Sequence, residues 1–470
     1  MELESTGPPV ISSRQGRLAT EPVRKLLWRL SLPAMAGMLT MSLYHVVDTI
    51  FIGRGVGPAA IAGVTIVFPA MMLLMALGMM VGIGAASVVS RRLGAGRIDS
   101  AEQTLGTALA LILLFGVIVT VIGVAASGSV VRLFGASEAI RPYSLEYARV
   151  IFLGAVFALY PMTLNNIARA EGNARKAMIT MMLGAVLNMI LDPVFIFVLH
   201  LGVTGAAIAT VISQFVTSIY ITTYFLSGRS TLRLRRSFVR LRGGVAREIL
   251  AVGFPSFIRM GAASIIVLII NRTLVVYGGD MSVAAYGIVN RSMMFVAMPL
   301  MGIAQGLQPV LGFAYGAGRY DRARAVTGYA LGAASVLSAA AFLVLYFLPR
   351  PIMSVFTTDA SLIQEGVHAS RRVFLVFYLV GFQIVGSTVF QSLGMVSKTF
   401  IASTSRQVLF LIPLVLILPR YLGTDGVWLA IPIADALSFL LVLAMIVPQL
   451  REFGRRSAGH TREVIDGARA

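Results

Sequence analysis

Three carboxylates interrupt long apolar segments of this 470-residue chain, and they are its first candidates for chemistry. Of the 20 acidic residues, only Asp48, Asp192 and Asp435 stand well inside such segments. An ionised carboxylate in apolar surroundings is costly unless it is paired, so an acid at such a position suggests a function. Asn188 precedes Asp192 by four residues, which places both side chains on one face of a helix.

Pro193 follows Asp192 directly and adds a further oxygen to this group. Proline has no backbone N–H to donate, so it frees a carbonyl one turn earlier, near Met189. Two carboxylates, an amide and a carbonyl form an all-oxygen set, which suits a proton or a hard cation better than a transition metal. We therefore predict a cation site at Asp48, Asn188 and Asp192. The alternative is that each Asp only holds a helix kink by hydrogen bonding, and for Asp435 the two readings stay open.

Other chemistries have little support in the composition. The chain has no Cys, which excludes disulfides, thiolate metal sites and cysteine nucleophiles. Its four His residues are scattered through the sequence, which argues against a zinc site and against an interfacial catalytic cluster. We therefore do not expect an enzyme, nor any cofactor other than a coupling H⁺ or Na⁺.

Apolar helices must position these acids. Hydrophobic residues make up 57% of the chain, charged residues 13%, and mean hydropathy is +0.85. Residues 1–25 lack the apolar stretch of a signal peptide. Twelve later segments are long enough to cross a bilayer of about 30 Å, and only helices or closed barrels satisfy their backbone in lipid. They run roughly over 26–51, 59–86, 104–127, 146–165, 175–199, 203–227, 248–276, 282–312, 325–348, 367–392, 398–419 and 425–448.

The net charge of +19 reports orientation. On the predicted topology, 26 of the 39 Lys and Arg residues lie in or beside the segments on the side shared by both termini, and 5 lie on the other side. This bias predicts that both termini are cytoplasmic, in the cytoplasmic (inner) membrane. Seven Arg residues lie in the linker 228–247, where we expect contact with anionic membrane lipids and not with nucleic acid.

The chain repeats itself at an offset of about 222 residues. Residues 94–99 (GAGRID) match 316–321 (GAGRYD), and Leu32-Pro33 corresponds to Phe254-Pro255. Each half holds an even number of spans, so the repeat is parallel, as in transporters whose site lies between two bundles. The predicted fold is an all-α polytopic membrane protein with twelve transmembrane helices in two six-helix bundles. Its parts are an N-terminal tail (1–25), an N-lobe (26–227), the linker (228–247), a C-lobe (248–448) and a C-terminal tail (449–470).

The acids are not duplicated with the fold. Apolar or uncharged residues occupy the positions of the second half that match Asp48 and Asp192, namely Ile270 or its neighbours and Ile412 or Pro413. The spans there carry arginines instead: Arg259, Arg272, Arg291 and Arg406. We favour snorkelling or helix-to-helix hydrogen bonding for these arginines over substrate contact.

Two motifs, 46–53 (VVDTIFIG) and the Asn188-x-x-x-Asp192-Pro193-x-Phe195 segment, occur here with twelve spans in two halves. In this combination the chain resembles the multidrug and toxic compound extrusion (MATE) transporters over nearly its whole length. The resemblance implies a cation-coupled antiporter that expels organic, often cationic, compounds. It further implies that Thr210 joins Asp48, Asn188 and Asp192 at the cation site. The absence of acids in spans 7 and 10 resembles the bacterial branch with N-lobe acids only.

Further contacts and a mechanism are expected from the residues and from the resemblance together. Asn165 and Asn166 lie near a position where the family supplies another polar ligand, and Asp435, Arg259 and Arg291 are additional candidates for cation or substrate contacts. Uptake of H⁺ or Na⁺ from outside would drive exchange in a protein expected to be monomeric, with candidate bends at three prolines: Pro33, Pro161 and Pro193. A flippase of lipid-linked envelope precursors, with cavity arginines such as Arg259 or Arg291 on a pyrophosphate, is the alternative. A passive channel explains the kinked bundles and the buried acids less well.

Overall fold

The structure, a computed structural model, describes residues 13–467, which are almost entirely helical and contain no β-strand. The first half comprises nine α-helices and a five-residue π-helix, Val194–Val198. The α-helices are α1 (Ser13–Thr20), α2 (Val23–Gly55), α3 (Pro58–Gly94), α4 (Ile98–Ala125), α5 (Ser127–Leu133), α6 (Arg141–Leu153), α7 (Ala155–Ala170), α8 (Ala174–Pro193) and α9 (Gly202–Leu226).

The second half also comprises nine α-helices, with a 3₁₀ turn at Arg236–Phe238 before them, another at Phe377–Leu379, and a π-helix at Ser405–Leu411. The α-helices are α10 (Gly243–Gly316), α11 (Tyr320–Phe347), α12 (Pro349–Phe356), α13 (Ala360–Val373), α14 (Val380–Leu393), α15 (Val396–Thr404), α16 (Ile412–Ile417), α17 (Pro419–Leu422) and α18 (Thr424–Gly467).

These helices supply the twelve predicted crossings. Within residues 13–467, nine helical segments are long and apolar enough to span a bilayer, and two bent pairs, α6 with α7 and α13 with α14, provide one span each. The twelfth comes from α10, whose 74 residues contain two spans joined at Gly279. Gly279 has φ 66° and ψ −170°, a conformation open mainly to glycine, so the chain reverses there without a loop. The last helix, α18, extends beyond the predicted span end at 448 to Gly467.

The first and last helices of the described chain meet at one face of the molecule. Residues of α1 and the end of α18 both contact the start of α11. We call this the terminal face, and it also holds the loops at 95–97 and 317–319.

Packing of the core differs between the two faces. Next to the terminal face, one hydrophobic core mixes residues of both halves, among them Leu27 and Val89 with Ile303 and Val389. Away from it, each half has a core of its own: one around Ile52 and Ile151, the other around Phe377 and Trp428. The halves are therefore joined near the terminal face and packed separately at the opposite face.

Glycines allow this close contact between the halves. A Cβ placed on Gly253 of α10 would lie 1.8 Å from the carbonyl oxygen of Met80 on α3. One placed on Gly84 of α3 would lie 2.0 Å from the carbonyl oxygen of Ile249. No side chain fits at either position, so the two helix backbones touch directly.

Candidate cation site

Three neighbouring helices of the first half carry the predicted site. Asp48 lies two turns before the end of α2, Asp192 is the penultimate residue of α8, and Thr210 lies on α9. Immediately after Pro193 the helix widens into the π-helix Val194–Val198. Proline cannot donate to the α-helical ladder, and π-helical turns are frequent at functional sites. This widening begins directly after the turn that carries the Asp192 carboxylate.

The four predicted ligands lie together and are almost entirely buried. Exposed fractions are 8% for Asp48, 1% for Asn188, 0% for Asp192 and 4% for Thr210. The Asn188 Nδ2 atom donates to Asp192 Oδ1 at 3.2 Å and to Thr210 Oγ1 at 3.3 Å. The carboxyl group of Asp48 lies within hydrogen-bonding reach of that of Asp192. The structure thus places side chains from α2, α8 and α9 next to one another in one buried cluster.

Two tyrosines enclose this group, and sequence reasoning did not select them. Tyr44 lies one turn before Asp48 on α2 and shares a hydrogen bond with Thr210. Tyr147 of α6 is 3% exposed and lies near the Asp48 carboxyl group. The spacing of Tyr44 and Asp48 was visible in the sequence, whereas Tyr147 is brought in by packing between distant helices.

Three oxygen atoms of the group have no hydrogen-bond donor. They are Asp48 Oδ1, Asn188 Oδ1 and Asp192 Oδ2. Two ionised carboxylates facing each other can only accept hydrogen bonds, and like charges this close repel strongly. A proton shared between the carboxyl groups, or a small cation bound by the three oxygens, would satisfy them. The donor set is therefore suited to H⁺ or Na⁺.

The other predicted N-lobe residues lie elsewhere in the helices. Asn166 donates to the carbonyl of Met162 at 2.8 Å and accepts from Arg169 Nη2 at 2.8 Å, so it is engaged within α7. Asn165 is buried with its Oδ1 unpartnered. No hydrogen bond recorded among residues 13–467 joins either asparagine to the Asp48 group.

The candidate hinges differ in how far the structure bends at them. Pro33 and Pro161 lie inside α2 and α7, which both continue through them. A bend of 54° separates α6 from α7 at Gly154 and not at Pro161. Of the three prolines, only Pro193 lies at a change of helix type.

Asp435 forms a separate cluster in the second half. It is 1% exposed and paired with Arg406, whose Nη2 lies 3.4 Å from Asp435 Oδ2. Arg406 is part of the π-helix Ser405–Leu411, and Ser405 shares a hydrogen bond of 2.7 Å with Ser438. This Arg406 contact is the helix-to-helix bonding favoured from the sequence.

The remaining arginine candidates have different surroundings. Arg259 is partly buried on α10, and Arg291 is exposed on the same helix. Neither has an ion pair or hydrogen bond recorded within the described part of the chain. The structure does not bring them to the Asp48 group.

Comparison with known proteins identifies the family. The MatE family model matches the chain twice, over residues 33–194 and 255–417, which reproduces the internal repeat. The multidrug export protein MepA of Staphylococcus aureus (strain MRSA252) is 26% identical over 446 residues, covering 95% of this chain and 97% of MepA.

Solved structures agree along nearly the entire chain. The MATE multidrug transporter DinF-BH is 45% identical with a TM-score of 0.86, covering 93% of this chain and 98% of that one. An outward-facing MATE family multidrug resistance transporter of the MOP superfamily is 29% identical with a TM-score of 0.87, at 93% and 98% coverage. The predicted fold of twelve helices in two repeated bundles is confirmed. The chain therefore belongs to the multidrug and toxic compound extrusion family, and it is a multi-pass membrane transporter rather than an enzyme.

Proposed function

We propose that this protein is an antiporter that exports organic, often cationic, compounds in exchange for H⁺ or Na⁺ bound between Asp48 and Asp192. One observation carries the proposal: two buried carboxyl groups from different helices face each other. One oxygen of each carboxyl group and the amide oxygen of Asn188 have no hydrogen-bond donor. The similarity to MepA, a multidrug export protein, and to DinF-BH, a multidrug transporter, supports the substrate class. It does not favour the flippase alternative.

The coupling step follows from the charge of this pair. With a proton or Na⁺ between the carboxyl groups, α2 is drawn towards α8 and α9. When the cation leaves, repulsion between Asp48 and Asp192 pushes α2 away from α8. Each coupling charge that moves down the membrane potential supplies about 2.3 kcal/mol per 100 mV. This energy can drive export of a compound against its gradient if one position of α2 favours the state open to the outside and the other favours the state open to the cytoplasm.

The orientation belongs to the same proposal. The terminal face carries the excess of Lys and Arg, so we place it in the cytoplasm. In this orientation the two separate cores lie towards the outside, and Asp48 lies in the outer half of α2. A cation would then reach the site from outside while the joined halves close the cytoplasmic side.

The test uses purified protein in vesicles with a cationic dye as substrate. Asp48→Asn and Asp192→Asn each remove one charge of the pair while keeping its size, and we expect each to lower gradient-driven dye exchange more than tenfold. Asp280→Asn is the matched control, because Asp280 is an exposed acid remote from the pair in sequence and outside its recorded contacts. Full exchange by both variants at normal expression would contradict the proposal.

The coupling ion is identified by imposing one gradient at a time. Dye exchange driven by a pH gradient without Na⁺ indicates H⁺ coupling, and exchange driven by a Na⁺ gradient at equal pH indicates Na⁺ coupling. Dye movement that ignores both gradients would contradict antiport and favour a passive channel. Rescue of a cell-envelope defect without any dye export would favour the flippase.

A further inference from the structure

The N-terminal helix α1 lies across the junction between the two halves. Its residue Leu18 is 2% exposed, and its side chain lies against Gly172, in the turn between α7 and α8 of the first half. A Cβ placed on Gly172 would be 3.4 Å from Leu18. From the sequence we predicted that this segment is part of a cytoplasmic tail, because eight residues with little hydrophobic character give no pattern that predicts docking.

The backbone of the same segment is held by the second half. Arg322 of α11 donates from Nε to the Leu18 carbonyl at 3.0 Å and from Nη2 to the Glu21 carbonyl at 2.5 Å. Arg319 donates from Nη1 to the Ala19 carbonyl at 2.9 Å. Cations favour the carbonyl end of a helix, and charged hydrogen bonds are stronger than neutral ones.

Arg322 depends on this segment for its partners. It is 8% exposed, and among the side chains that the structure describes no carboxylate lies within ion-pair distance of it. A buried guanidinium without acceptors is costly. The carbonyls of the segment are thus the groups that satisfy Arg322, and they do so only while α1 is docked.

The linker between the halves shows the same arrangement at the repeat-related place. The linker precedes α10 of the second half as α1 precedes α2 of the first half. It contacts α4, which belongs to the first half. Glu102 Oε1 accepts from the backbone N–H of Arg233 at 2.9 Å, and Glu102 Oε2 forms an ion pair with Arg235, 3.1 Å from its Nε. Each half's entry segment therefore makes polar contacts with the other half. The linker joins the halves covalently, whereas α1 is held to the second half by non-covalent contacts alone.

We propose that α1 is a releasable latch that holds the halves closed at the terminal face. Separation of the halves there must withdraw Leu18 from Gly172 or detach the backbone from Arg319 and Arg322. The latch thereby biases the transporter towards the state that is closed at this face. This inference rests on the exchange of openings in the proposed function, but not on which ion drives it.

The test measures the distance between the halves directly. The chain has no Cys, so spin labels can be placed at Arg175→Cys and Ser397→Cys alone. Both positions are exposed and repeat-related, on the first turns of α8 and α15. Pulsed electron paramagnetic resonance then gives the populations with the terminal face closed and open, in the absence of gradient and dye.

Leu18→Ala and Arg322→Gln should each raise the ratio of open to closed populations by about tenfold or more, because one loses a buried side chain and the other loses two charged hydrogen bonds. Arg324→Gln is the matched control, because Arg324 is exposed, lies on the same helix and makes no recorded contact with α1. If Arg322→Gln does not fold, Leu18→Ala decides. Parental distance distributions in the folded variants would overturn the latch.

The same measurement separates the latch from the coupling site. In an Asp48→Asn background the latch variants should still shift the distances, because the latch does not involve the cation. Loss of dye exchange by Asp48→Asn bears on the coupling site only. If Leu18→Ala leaves the distances unchanged while Asp48→Asn still abolishes dye exchange, the latch is overturned and the coupling site is not.

Discussion

A single methyl group at Gly253 should force the two halves apart at the terminal face. Gly253 lies on α10 where this helix touches α3, and it is buried there. Alanine is a better helix former than glycine, so Gly253→Ala does not weaken α10 itself. The substitution therefore tests the contact between the halves and not the stability of one helix.

The size of the effect follows from the distance at this contact. A Cβ on Gly253 would lie 1.8 Å from the Met80 carbonyl oxygen, whereas ordinary contact begins at 3.4 Å. The neighbour is backbone and cannot rotate away, so α3 and α10 must separate by about 1.6 Å. Overpacking of this kind costs about 1–3 kcal/mol, which corresponds to a change of about 5- to 150-fold in the ratio of closed to open protein.

The assay is the distance measurement between spin labels on the two halves, together with dye exchange. Gly253→Ala should raise the open population at the terminal face and lower gradient-driven exchange. Gly261→Ala provides the control, because it lies on the same helix with nothing within 4 Å of its Cβ position. Our reasoning is refuted if Gly253→Ala gives the same distances and exchange rates as Gly261→Ala.

Three further substitutions probe other contacts. Glu248→Gln removes the ion pairs of 2.8 and 3.0 Å that α10 makes with two arginines of α3. Because Glu248 is partly exposed, we expect the ratio of open to closed populations to rise only about two- to fivefold by the same labels. High salt should produce a similar rise in the parent protein. Glu102→Ala should speed tryptic cleavage of the linker about tenfold or more, because a 3%-exposed carboxylate holds it, whereas Asp99→Ala, on an acid that is 77% exposed, should not. Arg406→Gln should lower the free energy of unfolding by about 3–5 kcal/mol, seen in thermal melts in detergent, because it leaves Asp435 buried without a counter-charge. Adding Asp435→Asn should restore much of that loss, and no restoration would contradict this account.

The fold could be predicted from the sequence because its determinants are repeated and local. Long apolar segments fix the number of crossings, and the GAGRID and GAGRYD loops fix the repeat. The break at Gly279 and the bend at Gly154 were harder to locate. From the sequence alone, a glycine that turns the chain cannot be distinguished from one that bends a helix or from one that lets a neighbouring backbone approach, as Gly253 does.

The candidate site was predictable in part. Asn188 and Asp192 share a helix, so their spacing alone indicates that they lie together. Whether Asp48 meets them depends on the packing of α2 against α8, which no local pattern reports, so its place in the site was predicted only from the rarity of acids in apolar segments, and the family resemblance added Thr210. Tyr147 and the partnership of Arg406 with Asp435 depend on contacts between distant helices and could not be read from spacing.

The two halves treat their buried acids in opposite ways, and this difference bears on why one half would carry the coupling. In the second half, Arg406 supplies Asp435 with a resident positive charge, and the pair is neutral without any ion from solution. In the first half, Asp48 and Asp192 have amide, hydroxyl and tyrosine neighbours but no recorded ion pair with a lysine or arginine of the described chain. Under the proposed function, an ion that arrives and leaves balances their charge. A duplicated fold would then have one acid with a fixed counter-charge and one pair of acids whose charge changes with occupancy, and we propose that only the second links ion movement to a change of conformation.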